Sequence, residues 1–431
     1  MALKNQLNQV NHVNGYTNGT VGHRNTTKWD VRSSQTANNT FNPIRALVDE
    51  MDIRPNPEKK VITLSLGDPT VFGNFQPAEQ VLQSVVDAIK NGKNNGYSPS
   101  FGHATARDAV AAYVSVQGPE VNGGDVYLAS GCSDAINMAI SVLADPEDNI
   151  LIPRPGFSLY ETLSLSQGIH VKHYDCLPEK SWEVDLEHLE SLIDRKTKAI
   201  VVVNPSNPCG SNFNAEHIRA ILEVAENNKV PILADEIYAD LVFHDKSFHS
   251  FSSLSSSVPI LSCGGIGKKF LVPGWRMGWV VVHDRNEIFG SEIRTGLVKL
   301  SQRILGPCTL IQAALPGILS TPEACHQETI AKLEKNADLL YEKLRIIPGL
   351  KPIKPEAAMY MMVGFDRNHL PEFKDEVAFT ERLMCEQSVF CLPSKCFKYS
   401  NYFRIVLTVP EDQTEEACKR LEEFCLKHYK P

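Results

Sequence analysis

The stretch Ala199-Ile200-Val201-Val202-Val203-Asn204-Pro205-Ser206-Asn207-Pro208-Cys209-Gly210 is a continuous apolar run that stops in a doubled Asn-Pro turn. Downstream, Val230-Pro231-Ile232-Leu233-Ala234-Asp235-Glu236-Ile237-Tyr238 repeats the plan and delivers an aspartate at its end. Short apolar runs without every-other-residue alternation read as strands covered on both faces. Working outward, similar runs near 126–129, 149–152, 259–262 and 278–282 alternate with helical patterns between about 76 and 310. Strands alternating with helices build a mostly parallel sheet, so the expected fold class is α/β. Open sheets of this kind bind ligands beyond the carboxyl ends of their strands. Asn207, Asp235 and the turn Ser130-Gly131-Cys132-Ser133 all lie in that position.

The segment from Ser262 to Trp279 sets Lys268 among small residues, eight positions before Arg276 behind Pro-Gly. A lysine that forms an imine needs open access and a depressed pKa, and a nearby arginine adds a phosphate anchor and a second positive charge. Pyridoxal 5'-phosphate asks for this pair. Asp235 can keep the pyridine nitrogen protonated, the condition under which the ring accepts electrons. Tyr238 and Asn207 can both reach the ring's phenolic oxygen. Gly131, Cys132 and Ser133 open a helix whose free N–H groups and dipole attract a phosphate; a plain helix capped by Ser133 is the competing account. Taken singly, each motif also reads as a basic loop or a strand-end turn, because Gly, Pro, Asn and Asp punctuate strands in all folds. Arg404, inside the apolar run Tyr402 to Leu407, carries a planar fork that matches a carboxylate.

Together these motifs resemble the fold-type-I pyridoxal-phosphate aminotransferases of class I and II, from about Phe41 to the C-terminus. Thr40 to Arg45, Ser65 to Asn74, Pro153 to Tyr160, Pro178 to Trp182 and Lys299 to Cys308 carry the resemblance further. It implies Lys268 as the Schiff-base lysine and general base, Asp235 on the pyridine nitrogen, and Asn207 with Tyr238 on the phenolic oxygen. It places Arg276, Gly131, Cys132 and Ser133 around the phosphate, Phe157 stacked on the ring, and Arg404 with Gly67 at the substrate's α-carboxylate. Tyr97 stands where the family's tyrosine reaches the phosphate of the neighbouring subunit, which implies a homodimer with shared active sites. The implied architecture is a large cofactor-binding domain over 76–310 and a smaller α+β domain from 40–75 and 311–431 that closes over the substrate. The implied reaction is ping-pong transfer of an amino group from an aromatic amino acid, L-tyrosine first, to 2-oxoglutarate. Its products would be 4-hydroxyphenylpyruvate and L-glutamate. Alternatives within the fold are an aminotransferase of different side-chain specificity, a carbon–sulfur lyase, or a non-catalytic regulatory protein. An intact set of Lys268, Asp235, Tyr238 and Arg276 argues against the last. Three positions depart from the wider pattern: Gly265 and Gly267 replace hydroxyl residues, and Ala357 stands where relatives often carry glycine.

Composition sets limits. The chain has 431 residues, 42% hydrophobic and 22% charged, enough for a large core and two or three domains. A net charge of −8 argues against nucleic acid. No apolar run approaches a membrane span and no signal-peptide core opens the chain, so a cytoplasmic rather than mitochondrial enzyme is expected. The eleven cysteines form no CxxC pair, which points away from disulfides and zinc, and Cys132, Cys263 and Cys308 read as buried thiols. The histidines form no metal cluster, and no metal is expected. Residues 1–39, polar and without periodicity, are expected to be disordered. Ile330, Leu333, Ala337, Leu340 and Leu344 predict a long amphipathic helix before Pro348-Gly349, and Ala417, Leu421, Phe424 and His428 predict a last one from about Glu415.

Overall fold

The computed structural model describes Trp29 and residues 31–431. The expectation of disorder at residues 1–28 therefore lies outside the described residues, while Gln35–Asn39 forms a short helix capped by the Ser34 hydroxyl.

Among the described residues fourteen strands form three sheets. In chain order they are β1 Ile62–Thr63, β2 Val126–Ala129, β3 Asn149–Arg154, β4 His170–Leu177, β5 Glu183–Val184, β6 Thr197–Val203 and β7 Ile232–Asp235. After these come β8 Ile260–Gly265, β9 Gly278–His283, β10 Leu350–Pro352, β11 Tyr360–Phe365, β12 Val389–Phe390, β13 Leu392–Pro393 and β14 Tyr402–Val406. The eight-stranded sheet runs β2-β9-β8-β7-β6-β3-β4-β5. Its centre, from β4 to β8, is parallel, and β9 and β5 are antiparallel to their neighbours. The mostly parallel α/β sheet read from the apolar runs is present.

The unbroken hydrophobicity of β6 has a direct structural counterpart. Ile200 and Val202 pack with Ile218, Ile221 and Leu222 of the helix Ala215–Asn228, whereas Val201 and Val203 pack with Ile136, Met138 and Ile140 of the helix Cys132–Leu143. Successive side chains point to opposite faces, so a strand between two helical layers must be apolar at every position. β4 escaped the sequence reading because it lies near the sheet edge, half-buried and interrupted by Lys172, His173 and Asp175.

The four-stranded sheet, β10-β11-β14-β13, is wholly antiparallel and pairs Met362 with Arg404. The helix Ala324–Leu344 buries the five apolar residues that predicted it, and each fully buried leucine contributes roughly 1.5–3 kcal/mol. The last helix is Glu411–His428, four residues longer at its start than expected. Glu411 and Asp412 occupy that extra turn, where acidic side chains suit the positive end of the helix dipole.

All eleven cysteines are free thiols. The expectation of burial holds for Cys263 but not for Cys308, which is exposed as the residue preceding the helix Thr309–Leu319; Cys132 is half-buried. A small-residue context marks a turn as readily as a core. Among the described residues no helix is long and apolar enough to cross a membrane.

Candidate active site

A cavity of about 550 Å³ lies where the carboxyl ends of the large sheet meet β14, and it gathers almost every candidate residue. Asp235 ends β7 and is only 3% exposed. It accepts the Tyr160 hydroxyl at 2.6 Å, the Ile237 N–H at 3.3 Å and the Cys132 thiol at 3.6 Å. Burial pushes its pKa up, and those donors pull the other way. A buried carboxylate with no cation bonded to it suits a protonated ring nitrogen.

Antiparallel pairing brings Gly265 of β8 opposite Gly278 of β9 and closes residues 266–277 into a loop at the mouth of the cavity. Lys268 lines the cavity, and its Nζ donates to the Gly67 carbonyl at 2.8 Å. Lys269 turns the opposite way into ion pairs with Asp240 at 3.2 Å and Glu323 at 2.9 Å. Geometry thus separates two lysines that adjacency in sequence leaves ambiguous. Arg276, at φ +50°, hydrogen-bonds the Pro273 carbonyl at 2.9 Å and lies against Gly131. A Cβ at Gly131 would fall 2.5 to 2.9 Å from three guanidinium atoms, and Gly131 itself has φ +81°. The helix Cys132–Leu143 has no side-chain cap, so Ser133 is not the N-cap of the competing account; Gly131 takes that place. An uncapped helix start beside an arginine is a cradle for a phosphate.

The glycines at 265 and 267 also find a reason. A Cβ at Gly265 would sit 2.8 Å from the Met277 carbonyl, and one at Gly267 would sit 3.3 Å from Pro273 Cα. The returning side of the loop blocks a side chain at Gly265 and crowds one at Gly267. At 357–358 the left-handed backbone falls on Ala358, with φ +60°, while Ala357 donates its N–H to the Gly210 carbonyl.

Arg404 is 4% exposed. Its Nη1 donates to Asn207 Oδ1 at 2.9 Å and its Nη2 to the Ser65 carbonyl at 2.8 Å, while Nε is buried without a partner. Phe157 lines the cavity and stands edge-on to Tyr160, ring centres 5.9 Å apart. Tyr97 is 92% exposed and does not line this cavity. Two residues that sequence reasoning did not assign belong here. Tyr160 is bonded to Asp235, and the Tyr360 hydroxyl lies 2.8 Å from that of Tyr238. Tyr360, inside an apolar run, carries no signal distinct from core, and Tyr160 none distinct from an ordinary helix residue.

Residues 59–421 match the profile of a family described as aminotransferase class I and II. The chain belongs to the class I and II aminotransferases. This aminotransferase is 58% identical to the tyrosine aminotransferase of Mus musculus, an alignment covering 93% of this chain and 89% of that one. It is 48% identical to the tyrosine aminotransferase of Dictyostelium discoideum, over 94% and 98%. Among solved structures, the tyrosine aminotransferase of Leishmania infantum superposes with a TM-score of 0.90 at 33% identity, covering 94% of this chain and all of that one.

Proposed function

We propose that the chain transfers the amino group of an aromatic amino acid, L-tyrosine first, to 2-oxoglutarate, using pyridoxal 5'-phosphate and releasing 4-hydroxyphenylpyruvate and L-glutamate. The observation that carries this reading is the convergence of Lys268, Asp235, Tyr238, Asn207, Arg276 and Arg404 on one cavity. The names of the similar proteins support the donor. So does the apolar wall of Ile44, Val48, Leu66, Phe390 and Leu392, against which an aromatic ring can lie.

The residues fit the cofactor. A buried Asp235 without a bonded cation and a glycine cradle under Arg276 each answer one part of it, and the orphaned Arg404 Nε answers the substrate's carboxylate. Arg276, Cys132 and Ser133 would hold the phosphate, Asp235 the pyridine nitrogen, Asn207 and Tyr238 the phenolic oxygen, and Phe157 a ring face. When bound, pyridoxal phosphate supplies an electron sink for negative charge developing at the substrate's Cα. Arg404, backed by Gly67, orients the α-carboxylate and so presents the Cα hydrogen to Lys268. Lys268 Nζ, as a free amine, would take that proton as general base. Exposed Tyr97 would complete the phosphate site of a second copy, making the working unit a homodimer. Residues 76–310 would form the cofactor-binding body, and 40–75 with 311–431 the part that closes. A cytoplasmic location agrees with this role.

Adding L-tyrosine alone to cofactor-loaded protein should change its absorbance and release one equivalent of 4-hydroxyphenylpyruvate, and 2-oxoglutarate should then restore the spectrum. Release of ammonia, or no response without both substrates together, refutes the reading.

A further inference from the structure

We infer that Tyr360 is a positioning residue of this site, holding the Tyr238 hydroxyl on the cofactor's phenolic oxygen and flooring the Arg404 guanidinium. The inference rests on the cofactor reading above.

Tyr360 opens β11 in the small sheet and is 1% exposed. Three neighbours fix it. Its hydroxyl lies 2.8 Å from that of Tyr238, the two rings edge-to-face with centres 5.8 Å apart. The Arg404 Cζ stands 4.4 Å over its ring centre. Gly67 presses on the hydroxyl end, where a Cβ would come within 2.7 Å of the Tyr360 oxygen.

Proton counting sets the direction of the bond. Each tyrosine hydroxyl has one proton to donate. When Tyr238 donates to the phenolic oxygen, it has none left for Tyr360, so the second bond runs from Tyr360 to Tyr238. A hydroxyl that accepts while it donates is polarised and donates more strongly. Charge favours this order. Burial pushes the Tyr360 hydroxyl up, but the Lys268 and Arg404 cations together with the bond to Tyr238 bring the net shift downward, whereas burial leaves Tyr238 well above the ordinary phenol range. The more acidic phenol is the better donor. Tyr360 thereby links the group that takes the substrate's carboxylate to the group that grips the cofactor's oxygen.

The test is a pH titration of the bound cofactor's absorbance in the holoenzyme, comparing wild type with Tyr360→Phe and Tyr360→Leu. Weaker donation leaves more charge on the phenolic oxygen, which then holds the neighbouring proton more tightly. The midpoint of Tyr360→Phe is therefore expected to move up by about half a pH unit. KM for both substrates should stay within about twofold, since the ring remains under Arg404. Tyr360→Leu should show the same shift and also raise both KM values. An unmoved midpoint in Tyr360→Phe overturns the inference while leaving the function intact, and unchanged KM values in Tyr360→Leu overturn the flooring role. A wild type that acquires no pH-dependent band with pyridoxal phosphate overturns the cofactor reading and the inference with it.

Discussion

Arg404→Lys keeps the charge at the centre of the cavity and removes the fork. The structure shows what is at stake. Of the five N–H groups of the guanidinium, one on Nη1 goes to Asn207 and one on Nη2 to Ser65, which leaves three (five less two) for a substrate carboxylate. The fork is held in plane by Tyr360 at 4.4 Å and Phe397 at 5.1 Å on its faces. An ammonium has three donors radiating from one point and no plane to stack. It cannot keep both anchors and still meet a carboxylate with two parallel bonds. A bidentate charge-assisted pair exceeds a single contact by roughly 1.5–3 kcal/mol, so kcat/KM should fall about tenfold to hundredfold. Both half-reactions should suffer alike, because amino donor and oxo-acid acceptor share only the carboxylate end. Single-turnover measurements of the tyrosine and 2-oxoglutarate half-reactions, followed by cofactor absorbance, check this. Loss confined to tyrosine would refute the assignment and make Arg404 a side-chain selector.

Three further expectations concern the large sheet. Lys268→Ala should fold but neither form its cofactor band nor turn over. Lys269→Ala should keep both and lose about 3–5 kcal/mol of stability to urea, since it strips a buried cation from Asp240; the reverse pattern would show that the register is wrong. Asp235→Asn retains the shape that meets Tyr160 but not the charge, so kcat should drop on the order of a hundredfold or more with cofactor still bound; a near-normal rate would remove the ring-nitrogen argument. Glu236, half-buried just beyond β7 and accepting the Phe251 N–H at 2.9 Å, has its carboxyl raised by burial to about 8. The folded chain then binds a proton that the unfolded chain has lost, so stability should be full at low pH and fall as pH rises through the window up to about 8. Glu236→Gln should flatten that fall in urea midpoints measured across the window, and an unchanged slope would place its cause elsewhere.

The parts of the site that were legible in the sequence are those carried by strand ends. β6 from Ala199 onward and β7 up to Ala234 are apolar at each position because both faces are covered, so their ends are sharp and Asn207 and Asp235 stand out just beyond or at them. Lys268 and Arg276 stand out because β8 and β9 pair through Gly265 and Gly278 and leave between them a loop whose charged side chains break an otherwise apolar run. Tyr160 and Tyr360 were not legible. Tyr360 is an aromatic in a run of apolar neighbours and Tyr160 sits among Ser158, Glu161 and Thr162, and only the fold reveals that each hydroxyl has a partner. β4 was missed for the opposite reason, since a strand near an edge tolerates the charges that argue against a strand. Cys308 failed because local composition does not say which way a turn faces.

Contacts distant in sequence also explain why motifs that read as separate behave as one unit. Arg404 is anchored to its own side of the cavity by Ser65, whose neighbour Leu64 pairs through its carbonyl with Val406 of β14. Its other bond crosses to Asn207, beyond β6 of the large sheet. Tyr360, on β11, crosses in the same way to Tyr238, beyond β7. Both crossings end on the two residues assigned to the cofactor's phenolic oxygen, and that of Tyr360 is also an edge-to-face ring contact within a shared apolar cluster. A carboxylate that binds Arg404 must share the fork with Asn207, and it alters the charge beside Tyr360. On the proposed assignments, substrate binding would thereby be felt at the phenolic oxygen from two directions. That arrangement would couple recognition of the substrate's common end to the electronic state of the ring and leave the apolar wall around Ile44 and Leu66 free to select the side chain.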